Sequence, residues 1–302
     1  MANAVVFAYH NVGVRCLKAL LAQGIDVKLV VTYTDNPQER IWFSSVRAVA
    51  EEYALPVITP DNPNTPEVMA RIAAYQPDFL FSFYYRHMLS AEVLALAAQG
   101  AYNMHGSLLP HYRGRAPVNW AVLHGATQSG ATLHVMNEKP DNGAIVDQTA
   151  VPILPDDTAQ EVFDKVTVAA EITLVRCLPD LVAGRAQLHI QDLSQGGYFG
   201  GRRAEDGRID WRNSAQTIHN LVRAVTAPYP GAFSALTAGR LTVWRTQLVT
   251  DPNAQAQGLF RHAGQYYVRC GDGQVVRLCT AQLNDLPLSD WDFSSLPLPD
   301  IA

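Results

Sequence analysis

The chain has 302 residues, of which 48% are hydrophobic and 17% are charged, so it is long and apolar enough to bury a sizeable core. This composition excludes an intrinsically disordered or fibrous protein. The formal net charge of −5 argues against a nucleic-acid-binding protein, because such proteins carry a surplus of Lys and Arg. The four cysteines have no C-x-x-C spacing, so we expect neither a metal site nor a redox motif.

The N-terminus contains no basic segment followed by a long apolar run, so no signal peptide is predicted. No apolar stretch approaches the ~20 residues that a membrane-spanning helix needs. We therefore expect a cytoplasmic protein without a membrane-inserted segment.

The first 200 residues alternate between strand and helix patterns. Strands are predicted at 4–8, 27–33, 57–59, 78–83, 101–105, 131–136 and 144–151. Helices are predicted at 14–21, 44–53, from Thr65-Pro66 onward, at 117–124 and at 158–178. This rhythm is typical of an α/β fold with a doubly wound, mostly parallel sheet covered by helices.

The pattern changes after a glycine-rich stretch at 194–201. One amphipathic helix is followed by short strand runs at 232–236, 241–244, 265–269 and 274–278. Short strands with polar turns indicate a small antiparallel β-barrel domain. We place the domain boundary near residue 200, which gives domains at 1–200 and 201–302.

The loop after the first strand lacks the Gly-x-Gly-x-x-Gly motif of dinucleotide-binding sheets, since only Gly13 is available there. An NAD-dependent enzyme is therefore not favoured. Tyr9 and His10 nevertheless follow the first strand, at the end of the sheet where ligands bind in such folds. They are candidates for substrate contacts, with ordinary loop residues as the alternative.

The densest group of reactive side chains lies in the predicted strand at 101–105 and in a later turn. Asn103 and His105 are two residues apart, so both side chains lie on the same face of the strand. An amide can donate to a developing oxyanion and an imidazole can transfer a proton, a pairing that suits acyl transfer. Asp141, in a Pro-Asp-Asn-Gly turn, could orient the His105 ring and favour its charged form. Each motif alone also fits polar packing or a simple turn.

Together these motifs resemble a known enzyme family. Residues 103–110, 112–117 and 141–143 look like the signature of formyltransferases that use 10-formyltetrahydrofolate. Stretches at 5–10, 34–37, 81–87 and 113–120 are similar to one branch, the formyltransferase domains of bifunctional polymyxin-resistance enzymes. That branch formylates UDP-4-amino-4-deoxy-L-arabinose in lipid A modification. The likeness continues through 206–211 and 223–233 and fades beyond Trp244.

The resemblance implies a Rossmann-like catalytic domain at 1–200 and an OB-like domain at 201–302. A primary amine would attack the formyl carbon of 10-formyltetrahydrofolate, which acts as co-substrate, and no metal would be needed. Asn103 and protonated His105 would stabilise the oxyanion, and His105 would protonate the departing folate nitrogen. Asp141 would support the His105 charge and help to accept the proton of the amine.

The resemblance also implies contacts for both substrates. Folate contacts are expected at His87, Met88, Leu89, Arg115, Asn137, Glu138, Lys139 and Pro140. Met88 and Leu89 could instead be core residues, because apolar pairs are usually buried. Arg113 and Arg86 are candidates for the diphosphate of a nucleotide sugar, since a guanidinium matches phosphate oxygens bidentately. Tyr9 and His10 complete the predicted substrate contacts.

Several other functions remain open at this point. The main alternative is a methionyl-tRNA formyltransferase, but residues 35–43 contain one Asp, one Glu and one Arg, where phosphate contacts favour basic residues. Formyltransferases for other nucleotide-linked amino sugars, a hydrolase that releases formate, and a non-catalytic sensor are further alternatives. Because the 302 residues end just after the predicted barrel, we expect the dehydrogenase step of the bifunctional enzymes to reside on another chain.

Overall fold

The computed structural model describes residues 1–37, 41–254, 256 and 258–288. The chain forms two compact units. The first contains Met1–Pro117, Gln128–Pro152 and Phe163–Gly200, and the second contains Val118–Thr127, Ile153–Val162 and the described residues from Gly201 onward. The last part of the predicted second domain, 289–302, lies outside the described residues.

The first unit is built on a seven-stranded sheet. The strands of this unit are β1 Asn3–Ala8, β2 Asp26–Val31, β3 Val57–Ile58, β4 Phe79–Phe83, β5 Ala101–His105, β6 Arg113–Gly114, β7 Gln128–Val135, β8 Ile145–Pro152 and β9 Tyr198–Phe199. The sheet order is β3-β2-β1-β4-β5-β7-β8, and β6 pairs separately with β9. Strands β1 to β5 are parallel, whereas β7 runs antiparallel to both β5 and β8.

Helices alternate with these strands. The helices of the chain are α1 His10–Ala22, α2 Val46–Glu52, α3 Pro66–Ala73, α4 Ala91–Leu94, α5 Pro117–Leu123, α6 Ala159–Val182 and α7 Ala215–Val225. Ser45, Thr65 and Ser90 cap α2, α3 and α4 by accepting a backbone N–H of the first turn. None of the described helices is both long enough and apolar enough to cross a bilayer.

The core of the first unit is formed by apolar strands and the helices packed on them. Phe7, Phe79, Phe81 and Phe83 are fully buried, as expected for strands covered on both sides. A Cβ added to Gly13 on α1 would lie 3.1 Å from both the Ala8 Cβ and a Val46 methyl. Gly13 therefore permits close packing of α1 on its neighbours.

The second unit contains an antiparallel sheet. Its strands are β10 Ala232–Leu236, β11 Gly239–Val249, β12 Leu259–His262, β13 Gln265–Arg269, β14 Val275–Leu283 and β15 Leu286–Pro287. The sheet order is β10-β11-β14-β13-β12, with β15 paired to β14, so the described strands form an open path. The predicted fold class, a Rossmann-like α/β sheet followed by a small antiparallel β domain, is confirmed.

Candidate active site

The candidate site begins on two neighbouring antiparallel strands. Asn103 and His105 lie on β5, and β7 pairs with β5 in the register that places His134 opposite Asn103. Asn103 Nδ2 is 3.1 Å from His134 Nε2. His105 is 6% exposed and His134 is 2% exposed, so both rings are held in a largely dry environment.

Asp141 joins the two histidines. Its Oδ1 lies 3.4 Å from His105 Nδ1 and 3.5 Å from His134 Nε2. Its Oδ2 accepts a hydrogen bond from the Gly114 backbone N–H at 2.8 Å. The structure therefore brings the three predicted catalytic residues, which are up to 38 positions apart in the sequence, into one cluster around His134.

A backbone carbonyl fixes the tautomer of His105. His105 Nε2 lies 2.8 Å from the Tyr112 carbonyl oxygen. Because a carbonyl only accepts, Nε2 carries a hydrogen, and Nδ1 is the nitrogen that can gain or lose a proton. Nδ1 is also the nitrogen that faces Asp141, so the exchangeable proton of His105 is directed at the carboxylate.

The same reasoning applies to His134. Its Nδ1 lies 2.9 Å from the Val135 carbonyl, so Nδ1 carries a hydrogen. Its Nε2 faces the Asp141 carboxylate and also lies within hydrogen-bond distance of the Asn103 amide. This contact fixes the orientation of the Asn103 amide group. The sequence reasoning missed His134, although a lone histidine in an otherwise apolar strand run was a usable signal.

The charges around Asp141 determine its ionisation. Burial opposes the ionised carboxylate, but the charge of His105, the hydrogen bond and charge of His134, and the Gly114 amide outweigh it. Together they hold the pKa of Asp141 well below its usual value. Asp141 is therefore a carboxylate at neutral pH, able to accept protons but not to donate them.

A hydrogen-bond network holds the loop that follows β5. Thr132 Oγ1 donates to the Ser107 carbonyl at 2.6 Å and accepts from the Leu109 N–H at 3.1 Å. Gln148 Nε2 contacts both Thr132 Oγ1 and the Leu109 carbonyl, at 2.8 and 2.9 Å. This network stabilises the loop that presents the Tyr112 carbonyl to His105.

The predicted folate contacts at 87–89 follow β4 but have different environments. Leu89 is 3% exposed and packs in the core cluster, whereas Met88 is 49% exposed. The Tyr33 hydroxyl lies 3.1 Å from His87 Nδ1 and accepts the backbone N–H groups of Arg86 and His87 at 2.9 and 3.0 Å. The side chain of Leu89 thus belongs to the core, and Tyr33 holds the loop at 86–87.

The remaining predicted folate contacts lie in two loops beside the cluster. Asn137, Glu138 and Lys139 are exposed and lead directly into Pro140 and the Asp141 turn. Arg115 is exposed, and its backbone N–H donates to the Phe199 carbonyl at 2.9 Å. These side chains are accessible to a ligand next to Asp141.

The predicted substrate residues differ in accessibility. The Arg86 guanidinium lies over the Tyr9 ring, 4.9 Å from its centroid, and Arg113 donates to the Leu193 carbonyl at 3.2 Å. Tyr9 is only 5% exposed, and its hydroxyl donates to Asp35 at 3.0 Å. The Tyr9 side chain is therefore packed within the fold, whereas the Arg86 side chain is exposed.

His10 lies in an aromatic environment. Its ring centroid is 4.4 Å from that of Trp42, 4.0 Å from that of Phe43 and 4.6 Å from that of Phe163. Burial, with a smaller contribution from the charge of Arg86, lowers the pKa of His10 to about 3. His10 is consequently neutral at pH 7.

We expect this buried neutral histidine to make the fold sensitive to mild acid. A lowered pKa means that the unfolded chain binds the proton first, so stability is lost as pH falls from 6.5 toward the folded pKa. Wild-type protein should lose about 2 kcal/mol more unfolding free energy between about pH 7.5 and about pH 5 than His10→Asn does. Asn is chosen because His10 has a φ of 67°, which Asn tolerates.

Urea unfolding at the two pH values measures this difference. His262→Asn, a change of an exposed histidine in β12, is the matched control and should keep the pH dependence of the wild type. An equal loss of stability in wild type and His10→Asn would contradict the assignment of a low pKa to His10.

Within the part of the chain that the structure describes, no group of three or more His, Cys, Asp or Glu side chains could hold a metal ion. The cluster around Asp141 combines one amide, two imidazoles and one carboxylate. Its amide donor, its two imidazoles and its carboxylate match the requirements of acyl transfer to a nucleophile.

Comparison with solved structures shows the same fold in several N-formyltransferases. An N-formyltransferase from Helicobacter canadensis, in complex with folinic acid and dTDP-3-aminofucose, has a TM-score of 0.72 at 18% identity, with 92% of this chain and 99% of that chain covered. WlaRD, a sugar 3N-formyl transferase solved with dTDP and 5-N-formyl-THF, has a TM-score of 0.73 at 18% identity, with 94% and 98% covered. A sugar N-formyltransferase from a Shewanella species has a TM-score of 0.63 at 20% identity, with 80% and 96% covered.

Most of the sequence matches two protein-family models. Residues 2–178 match the formyl transferase family, and residues 202–292 match its C-terminal domain. The first match alone spans more than half of the chain and contains Asn103, His105, His134 and Asp141. The chain therefore belongs to the formyl transferase family and is an enzyme, a formyltransferase.

Proposed function

We propose that this enzyme transfers the formyl group of 10-formyltetrahydrofolate to the primary amine of a nucleotide-linked amino sugar, and that the first unit carries the reaction. The observation that carries the proposal is the cluster in which Asp141 contacts His105 and His134, with Asn103 anchored on His134. A partly buried amide donor beside a carboxylate–imidazole pair suits attack of an amine on a formyl carbon.

Each side chain has a task in this reaction. As the new C–N bond forms, the formyl oxygen gains negative charge, which the Asn103 amide and the His105 imidazolium stabilise. As the bond to the folate nitrogen breaks, that nitrogen takes up a proton, and the amine loses one. Overall, one proton moves from the amine to the folate nitrogen. In this proposal the Asp141–His105 pair accepts the proton from the amine and passes it to the leaving nitrogen.

The proposed folate site consists of the loop that follows β4 and the loop that leads into the Asp141 turn, together with Arg115. One holds His87 and Met88, whose side chains are exposed after the carboxyl end of β4. The other runs from Asn137 to Pro140 and leads into the Asp141 turn. The folinic acid and 5-N-formyl-THF in the two structural neighbours support a formyl-folate as the donor.

We further propose UDP-4-amino-4-deoxy-L-arabinose as the acceptor and a cytoplasmic role in lipid A modification. The proposal rests on the residues that resemble the polymyxin-resistance branch, at 5–10, 34–37, 81–87 and 113–120. The dTDP-3-aminofucose bound by the Helicobacter canadensis enzyme supports the wider class of nucleotide-linked amino sugars. Arg113 and Arg86 are the proposed contacts to the diphosphate of the acceptor.

The Tyr33 contact gives a test of the proposed folate site. The Tyr33→Phe variant loses the oxygen that accepts two backbone N–H groups and contacts His87. We expect KM for the formyl-folate to rise by about 10-fold, since each lost hydrogen bond of about 1 kcal/mol loosens the loop. kcat should change by less than about threefold, because Tyr33 lies outside the reacting cluster.

Steady-state kinetics with the folate as varied substrate measure both constants. Tyr53→Phe, a change of an exposed tyrosine at the end of α2, is the matched control and should leave KM unchanged. An unchanged KM for the formyl-folate in Tyr33→Phe would show that the loop at 86–88 does not bind the folate.

A panel of acceptors tests the proposed substrate. Purified enzyme is incubated with 10-formyltetrahydrofolate and, separately, with UDP-4-amino-4-deoxy-L-arabinose, a dTDP-linked amino sugar and initiator methionyl-tRNA. We expect the highest kcat/KM with the UDP-linked sugar. Formylation of the tRNA and of neither sugar would contradict the proposal. A higher kcat/KM with the dTDP-linked sugar would show that the acceptor is a dTDP-linked amino sugar rather than UDP-4-amino-4-deoxy-L-arabinose.

A further inference from the structure

Gln191 lies far from Asp141 in the sequence but directly contacts the turn that carries it. The Gln191 Nε2 donates to the Asp141 carbonyl at 3.1 Å and to the Gly143 carbonyl at 2.7 Å. The residue is 8% exposed, so both hydrogen bonds are shielded from water. One buried amide thus connects the two ends of the three-residue turn.

The segment that carries Gln191 is itself fixed to the sheet. The backbone of His189 pairs with Ile145, the first residue of β8, through hydrogen bonds of 2.8 and 2.9 Å in opposite directions. Gln191 follows two residues later. The Gln191 amide is therefore anchored on the same strand into which the Asp141 turn leads.

The turn depends on such support because its backbone is unusual. Asp141 has a φ of 56°, a left-handed conformation that non-glycine residues adopt at a cost. At Gly143, an added Cβ would collide with the Val135 carbonyl, so the turn packs closely against the end of β7. The carboxylate is held separately, by the Gly114 N–H.

We propose that Gln191 is a positioning residue for formyl transfer, which holds the Asp141 carboxylate at its contact distance from His105 and His134 without touching substrate. The inference rests on the proposed function, since it concerns the same cluster. A group held within a fraction of an ångström of its working position depends on buried hydrogen bonds behind it. Gln191 supplies two of these bonds to the backbone of the residue that the reaction uses.

The Gln191→Met variant tests this role, since Met is similar in shape but donates no hydrogen bond. We expect kcat to fall by about 10- to 100-fold, while KM for each substrate changes by less than about twofold. The acid limb of the kcat profile should move to higher pH. The reason is that displacement of Asp141 weakens the interactions with His105 and His134 that hold its pKa low.

Gln195→Met is the matched control. Gln195 lies in the same segment and is exposed, and its side-chain amide donates to the exposed Asp192 carboxylate at 3.0 Å. Its kcat and pH profile should equal those of the wild type. A folded Gln191→Met enzyme with kcat within twofold of wild type and an unmoved acid limb would overturn the inference.

Two further measurements keep the inference separate from folding and from the proposed function. If Gln191→Met does not fold, Gln191→Glu serves as the second variant, because Glu keeps the shape of Gln but its carboxylate donates no hydrogen bond. Full activity of Gln191→Glu would overturn the inference.

A ¹³C NMR titration of the Asp141 carboxyl group tests the same role without turnover. A rise of its pKa in Gln191→Met supports the inference and an unchanged pKa overturns it, whereas a wild type inactive on every acceptor refutes only the proposed function.

Discussion

The His105→Ala variant is expected to lose formyl transfer by about 10²- to 10⁴-fold in kcat, the range typical for loss of a proton-transferring side chain. The structure gives the reason in atomic terms. His105 Nε2 is occupied by the Tyr112 carbonyl, so Nδ1 is the nitrogen that exchanges a proton, and it faces Asp141 at 3.4 Å. Alanine removes this nitrogen together with the charge that stabilises the formyl oxygen.

The control for this variant is His111→Ala, which removes an exposed histidine six residues later in the same loop. Its kcat should stay within about twofold of the wild type, because surface changes away from the cluster have small effects. Circular dichroism and thermal unfolding show whether each variant is folded. A near-normal kcat in folded His105→Ala would show that His105 takes no part in catalysis.

The Asp141→Asn variant is expected to reduce kcat by a similar factor, about 10²- to 10⁴-fold. Asn has nearly the same shape, and its side-chain oxygen can still accept the Gly114 N–H. It lacks the negative charge that His105 and His134 share, and it cannot accept a proton from the amine. The loss therefore reports the charge of Asp141 rather than its volume.

Asp141→Asn should also change the dependence of stability on pH. A carboxyl group with a lowered pKa stabilises the fold fully above about pH 5, and this contribution is lost as pH falls below about 4. The wild type should therefore exceed the variant by on the order of 2 kcal/mol in unfolding free energy at neutral pH, and the gap should shrink in acid.

Denaturant unfolding across this pH range measures the gap. Asp180→Asn removes an exposed carboxylate that pairs with Arg185 and should show almost no gap at any pH. An Asp141→Asn protein with wild-type kcat, or with a stability gap that widens in acid, would contradict the role and ionisation assigned to Asp141.

Much of the fold was accessible from the sequence because the first 105 residues follow simple rules. Parallel strands that are buried on both faces have continuous apolar sequences. The strand predicted at 78–83 agrees closely with β4 Phe79–Phe83. The N-cap and proline at Thr65-Pro66 correctly predict the start of α3. Asn103 and His105 could be placed together because they share one strand and one face.

The rest of the site depends on contacts between distant segments. The register that sets His134 opposite Asn103 arises from antiparallel pairing of β7 with β5, which periodicity within one strand does not reveal. Gln191 reaches Asp141 from 50 residues away through a pairing with β8. Leu89, a predicted folate contact, has its side chain in the core because burial of an apolar side chain outweighs its nearness to the loop.

We propose that this chain catalyses N-formylation through the cluster of Asn103, His105 and Asp141. The most direct measurement is a single-turnover reaction of purified enzyme with 10-formyltetrahydrofolate and UDP-4-amino-4-deoxy-L-arabinose, analysed by mass spectrometry of the sugar. We predict that the sugar gains one formyl group on its amine as tetrahydrofolate appears in equal amount, and that His105→Ala abolishes both products. Release of free formate with an unmodified sugar, or equal turnover by folded His105→Ala, would contradict the account.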